Sequence, residues 1–223
     1  MSWGTTPLAA ALVAAALLAG CGGDDDGKDS GEDTAVLTEG CGSVPPPAAK
    51  RVDPPSGDFE LEAPATAVVK TSEGTFEIAL DNERAPKTAG SFAYLVKQGF
   101  YDGLEFHRIE PGFVIQGGDP LSGTPQVGSG GPGYCVDEDP PQDLVYGPGV
   151  VAMAKTAAEP PGFSGSQFFV VTAPADAGLP PDYALVGQVS KGFDVVKAIE
   201  ALGASGGEPQ KPVTIESITL ENG

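Results

Sequence analysis

The stretch Phe106-His107-Arg108-Ile109-Glu110-Pro111-Gly112-Phe113-Val114-Ile115-Gln116-Gly117-Gly118-Asp119 concentrates side chains able to act on a ligand. It reads as strand, proline–glycine turn and strand, an arrangement in which Arg108, Phe113 and Gln116 could converge. A fixed cation, an aromatic wall and an amide side by side suit a neutral, partly apolar ligand that carries a carbonyl. A second stretch, Gly165-Ser166-Gln167-Phe168-Phe169-Val170-Val171, is a strand that brings one more amide and two more aromatics.

Other chemistry is harder to build from this chain. With one histidine and three cysteines in 223 residues, most structural zinc sites are out of reach. His107, next to Arg108 on a strand, reads as a packed or hydrogen-bonded side chain rather than a general base. Gly128-Ser129-Gly130-Gly131-Pro132-Gly133 matches GxGxxG letter for letter, but a dinucleotide site needs that pattern to open a helix after a strand. Here Pro132-Gly133 leads into Tyr134-Cys135 instead. The formal net charge of −19 argues against a nucleic-acid partner, since displacing counterions from phosphates requires a basic face.

The elements that must position these residues are mostly strands. Short β-favouring runs lie at Thr66–Thr71, Thr75–Leu80, Leu104–Arg108, Phe113–Gln116, Gly149–Ala154, Gln167–Thr172, Ala184–Val189 and Val213–Leu220, most of them separated by turn residues. Ala85-Pro86-Lys87 opens a helix whose Ala89, Phe92, Ala93 and Val96 share a face, with Gly99 as its C-cap. A second helix spans about Phe193 to Leu202, with Val195, Val196 and Ile199 inward. Eight strands and two helices in one domain predict an all-β-dominated fold, a closed eight-stranded barrel whose closure removes sheet edges.

The FHR…PGF…QGGD and GSQFF blocks, in this order, closely resemble the cyclophilin family of peptidyl-prolyl cis–trans isomerases. The resemblance runs from about Pro64 to Leu220. It implies an eight-stranded antiparallel barrel capped by two helices, and isomerisation of Xaa-Pro bonds in polypeptides. It also implies roles: Arg108 as the catalytic arginine, with Phe113 and Gln116 beside it in the catalytic set. Phe113, Val114, Phe169 and Leu179 would wall the proline pocket, Gln116 would bond the substrate backbone, and Ala154, Lys155, Gln167 and Tyr183 would line the groove. That chemistry needs no cofactor, metal or covalent intermediate.

The chain departs from the family pattern in several places. Val114 stands where methionine is common, Lys155 where asparagine usually lines the groove, and Tyr183 where histidine is usual. The loop Thr156-Ala157-Ala158-Glu159-Pro160-Pro161-Gly162-Phe163-Ser164 is longer than in the common eukaryotic form. The one tryptophan, Trp3, is far from these blocks. These changes bear on cyclosporin affinity and side-chain preference, not on the isomerisation itself.

The N-terminal quarter reads differently. Leu8 to Ala19 is an unbroken apolar run, too short to span a bilayer and suited to a signal-peptide core. It ends in Leu18-Ala19-Gly20-Cys21, which resembles the lipobox of bacterial lipoproteins, although no Lys or Arg precedes the run. Residues 1–20 are thus expected to be a signal peptide and Cys21 a lipidation site that anchors the chain to the outer face of the bacterial cell membrane. Residues 21–60 are acidic and Pro/Gly-rich and are expected to form a disordered tether, with the isomerase domain at 61–223. Outside the cytoplasm Cys41 and Cys135 could pair, or could remain two free thiols.

The functional expectation is a monomeric, membrane-tethered enzyme acting on proline-containing exported proteins as they fold. The alternative is a proline-segment binding module or chaperone in which catalysis is incidental. A small-ligand barrel fits less well, because the family's barrel interior is packed.

Overall fold

A computed structural model describes residues 36–37, 50–55, 61 and 63–222. The signal-peptide reading, Cys21 and Cys41 lie outside the described residues. Among the described residues eleven strands and two helices follow one another as β1 (Val36–Leu37), β2 (Ala65–Thr71), β3 (Gly74–Leu80), α1 (Pro86–Lys97), β4 (Arg108–Glu110), β5 (Val114–Gly117), β6 (Cys135–Asp137), β7 (Val150–Met153), β8 (Phe163–Ser164), β9 (Phe168–Val171), β10 (Leu185–Lys191), α2 (Phe193–Glu200) and β11 (Ile215–Asn222). Among the described residues no helix is long and apolar enough to cross a membrane.

Eight strands form one antiparallel sheet in the order β11-β2-β3-β10-β7-β9-β5-β4. Alternation places its residues. In β2, Ala65, Ala67, Val69 and Thr71 are buried while Lys70 faces solvent, the period of two that a half-buried strand requires. The central strands β7 and β9 are buried at every position, because both of their faces are covered.

The sheet curls but does not close, which corrects the expected closed barrel. Its edge strands β11 and β4 are not paired with each other. The segment before β4, read as a strand at 104–108, instead meets the chain before β11 through the isolated bridge Glu105↔Thr214. The hydrogen bonds there run from Phe106 N to Val213 O at 2.9 Å and from Ile215 N to Leu104 O at 2.8 Å. β4 begins only at Arg108, and its outer edge is taken by a loop: Ile109 N donates to Gly207 O at 2.8 Å. A ladder from β4 to β11 has no free edge to grow on.

Helix α1 starts on Pro86 and ends in a Schellman pair, with Gly99 N on Val96 O at 3.0 Å and Phe100 N on Leu95 O at 3.1 Å. Ala85 has no side chain to cap its first turn. Glu138 does so from outside the helix, accepting from Lys87 N at 3.0 Å and Thr88 N at 2.7 Å. The main core lies between the helices and one face of the sheet. There Phe168 packs edge-on against Phe92, Tyr101 and Phe106, with centroids 5.5, 5.6 and 5.9 Å away.

A second, three-stranded sheet, β1-β6-β8, is too short to read from sequence, since no strand in it exceeds three residues. Val36–Leu37 pairs with β6, and Val52 N donates to Pro132 O at 3.0 Å. Lys50 Nζ donates to the carbonyls of Phe100 and Asp102, each at 2.7 Å, just beyond the end of α1. Residues 36–37 and 50–55, which fall in the segment expected to be a spacer, make these contacts.

Candidate active site

The hairpin β4–β5 sets Arg108 directly opposite Gln116. Across the next ladders Gln116 opposes Phe169, Phe169 opposes Ala152, and Ala152 opposes Leu185. Directly opposed residues point to the same face, so one row runs from a cation through an amide to an apolar floor. This face is the one turned away from the main core. It carries a smaller cluster of Val114, Tyr146, Ala152, Phe169, Val171 and Leu185, against which Phe113, Leu179 and Tyr183 pack.

The guanidinium of Arg108 is fixed on two sides. Nε and Nη2 donate to Glu110 Oε1 at 3.1 and 2.6 Å, while Nη1 donates to Gln116 Oε1 at 3.1 Å. The chain continues inward: Gln116 Nε2 donates to Gln167 Oε1 at 3.1 Å, and Gln167 Nε2 to Gly130 O at 2.9 Å. Every amide in this relay has its orientation set by its neighbour. The carbon at the centre of the guanidinium lies 5.9 Å from the Phe113 ring centroid.

Phe113 owes its place to the turn before it. Pro111 and Gly112 occupy the centre of a β-turn closed by Phe113 N on Glu110 O at 3.0 Å, and Gly112 has φ 78°, which favours glycine. The Gly112 N–H donates to Glu200 Oε1 at 2.7 Å, and the Phe113 carbonyl accepts from Thr172 N and Ala173 N at 2.8 and 3.1 Å. Glu200 is 6% exposed. Burial acts to raise its pKa, but hydrogen bonds from Lys197 and the Gly112 amide prevail and hold it below the usual carboxylate range.

A cavity of about 150 Å³ opens beside the guanidinium, lined by Arg108, Phe113, Val114, Gln116, Ala154, Lys155, Phe169, Leu179 and Tyr183. Tyr183 stands edge-on to Phe169, with centroids 5.5 Å apart. Its backbone is held by the buried Tyr146 hydroxyl, which donates to Tyr183 O at 2.7 Å and accepts from Tyr183 N at 3.1 Å. Burial is the main cause that pushes the Tyr146 pKa up to about 12. A second cavity of about 460 Å³ adjoins the first, sharing Gln116, Ala154 and Lys155 and reaching Gln167, Glu159 and the 128–131 loop.

The structure thus brings together Arg108, Phe113, Val114, Gln116, Ala154, Lys155, Phe169, Leu179 and Tyr183 in one cavity, with Gln167 joined through Gln116. Cys135 lines the second cavity and is disulfide-bonded. His107 lines neither cavity; burial lowers its pKa, with Asp119 acting against that shift. The glycine-rich 128–133 segment forms no strand–helix junction but a loop, held by the buried Asp119 carboxylate through Gly128 N and Leu121 N. Glu110, Tyr146 and Glu200 were not legible as site residues. Tyr146 and Glu200 lie far along the chain from what they hold, and only Glu110, two residues from Arg108, carried a local signal.

A fixed arginine and amide at the mouth of an apolar pocket suit a neutral, partly apolar ligand that carries a carbonyl. Residues 66–220 match the family described as "Cyclophilin type peptidyl-prolyl cis-trans isomerase/CLD", and the chain belongs to that family of enzymes. It is 40% identical over 178 residues to peptidyl-prolyl cis-trans isomerase A of Mycobacterium tuberculosis, covering 71% of this chain and 93% of that one. It is 37% identical over 194 residues to the probable peptidyl-prolyl cis-trans isomerase B of Mycobacterium leprae, covering 78% of this chain and 63% of that relative's length. Among solved structures, a cyclophilin-type isomerase of Cryptosporidium parvum superposes with a TM-score of 0.64 at 26% identity, covering 72% of this chain and 99% of that one. The same protein in the presence of the dipeptide Ala-Pro superposes with a TM-score of 0.63 at 27% identity, over 71% of this chain and 99% of that one.

Proposed function

We propose that this isomerase accelerates cis–trans interconversion of Xaa-Pro bonds in exported proteins through stabilisation of the twisted amide by Arg108. The observation that carries the reading is the guanidinium held by Glu110 and Gln116 at the rim of the cavity that Phe113, Val114, Phe169 and Leu179 wall. A planar prolyl amide resists rotation by about 18–20 kcal/mol because resonance between nitrogen and carbonyl must be lost. In the twisted state the nitrogen pyramidalises and regains a lone pair able to accept a hydrogen bond. A guanidinium waiting at that nitrogen binds the twisted state better than the planar one, which is what lowers a barrier. The apolar walls hold the ring while the carbonyl side turns.

The test is NMR exchange on an Ala-Pro peptide with wild type and Arg108→Ala. The variant is expected to keep its fold and its peptide affinity and to lose most of the rate enhancement. Equal exchange rates would leave only the proline-segment binding module.

The same reading places the domain outside the cytoplasm, tethered by lipid on Cys21. Cys135 is disulfide-bonded, and Cys21 and Cys41 are the other two cysteines of the chain. With Cys21 acylated, Cys41 is the partner, a pairing suited to an oxidising compartment. Leu37 is paired opposite Cys135, and three residues separate Leu37 from Cys41 in the sequence.

A further inference from the structure

The two cavities meet at Lys155, which forms no ion pair with a carboxylate among the described residues. Its Nζ donates to the carbonyls of Thr156 at 3.4 Å and Glu159 at 3.1 Å and lies 5.6 Å from the Tyr183 ring centroid. Among the described residues the ion pairs engage Lys70, Arg84, Arg108, Lys191, Lys197 and Lys211, but not Lys155. The acidic side chain nearest in sequence, Glu159, turns its carboxylate to the Thr156 N–H. Arg108, the other cation of the groove, is already paired with Glu110 at 2.6 Å. This local charge stands out against a domain in which residues 61–223 carry 21 acidic and nine basic side chains.

A half-buried ammonium with only carbonyl and ring partners attracts an anion that reaches it, and a pair formed there is screened less than one on open surface. The lining residues shared by the two cavities put Lys155 beside any chain that has its proline in the smaller one. At about 3.3 Å per residue, extended neighbours of that proline cross into the larger cavity within one or two positions. Building on the isomerase reading above, we propose that Lys155 makes this enzyme select prolines flanked within two residues by an aspartate or glutamate.

The experiment compares kcat/KM by NMR exchange for peptides that carry Glu or Gln at each of the two positions on either side of proline. In wild type, Glu should exceed Gln by about 1.5-fold to fivefold at one or more positions, the range an ion pair of this kind supplies. Lys155→Arg should keep the preference, Lys155→Met should bring the ratio to about one, and Lys155→Glu should invert it. A Glu-to-Gln ratio that is equal in wild type and Lys155→Met at all four positions overturns the inference. If no peptide is accelerated, the isomerase reading itself fails. Dissociation constants for the same peptides, from NMR titration, then decide the charge preference by the same ratios.

Discussion

Arg108 and Gln116 are directly opposed on β4 and β5, and Nη1 of the arginine meets Oε1 of the glutamine at 3.1 Å. The glutamine amide is not free to flip, because its Nε2 is committed to Gln167, which is committed in turn to Gly130 O. Gln116→Leu removes one of the two groups that aim the guanidinium. A hydrogen bond to a charged group contributes about 1.5–3 kcal/mol, so kcat/KM is expected to fall about 10- to 100-fold with little change in urea midpoint. Gln167→Leu reaches the guanidinium only through Gln116 and should cost less. Equal losses for the two variants, measured by NMR exchange, would contradict the relay.

The adjacent residues Phe168 and Phe169 should separate stability from binding. Phe168 is fully buried among Phe92, Tyr101 and Phe106, whereas Phe169 faces the site beside Tyr183. Phe168→Ala is expected to cost about 3–5 kcal/mol in unfolding free energy, the usual range for a core phenylalanine. Phe169→Ala should lower stability less and raise KM more. Urea unfolding and peptide titration on both variants check the split, and a reversed order would mean that the sheet faces are misassigned.

That pair also shows what sequence carries and what it does not. Alternation along a strand is local, so most large-sheet strands and both helices could be read from a few residues each. β4 was displaced because Leu104-Glu105-Phe106 has strand character yet pairs with Val213–Ile215 only through one bridge. Barrel closure depends on whether two edges more than 100 residues apart in sequence meet, and the Gly207 loop that occupies the β4 edge has no sequence mark. The small β1-β6-β8 sheet is built from two- and three-residue strands, below the length at which a period can be seen. Arg108, Phe113, Val114, Gln116, Gln167 and Phe169 were legible because they sit in two compact motifs. Tyr146 was not, since what it holds is a backbone 37 residues away.

The N-terminal reading is checked by Cys21→Ser. If Cys21 carries acyl chains, each buried methylene adds about 0.8 kcal/mol to membrane binding, and losing them should move the protein to the soluble fraction. Fatty-acid labelling should disappear in the same variant. Retained label in the membrane fraction would reject the lipid anchor. Thiol titration of unreduced Cys21→Ser protein should find no free thiol if Cys41 and Cys135 are joined.

Glu200 links the turn that bears Phe113 to acid stability. Its carboxylate accepts from the Gly112 N–H at 2.7 Å and pairs with Lys197. The folded-state pKa is lowered from the ordinary value of 4.5, so the folded protein resists a proton that the unfolded chain accepts. Stability from this group is therefore complete above about pH 4.5 and is lost as pH falls through the lower folded value. Glu200→Gln keeps an acceptor for Gly112 but has no proton to take up. Between pH 7 and pH 3 its urea midpoint should fall less than that of wild type, while Glu200→Ala, with the turn released, should also lose kcat/KM several-fold at pH 7. Parallel pH profiles for wild type and Glu200→Gln would show that the carboxylate's charge does not hold this turn.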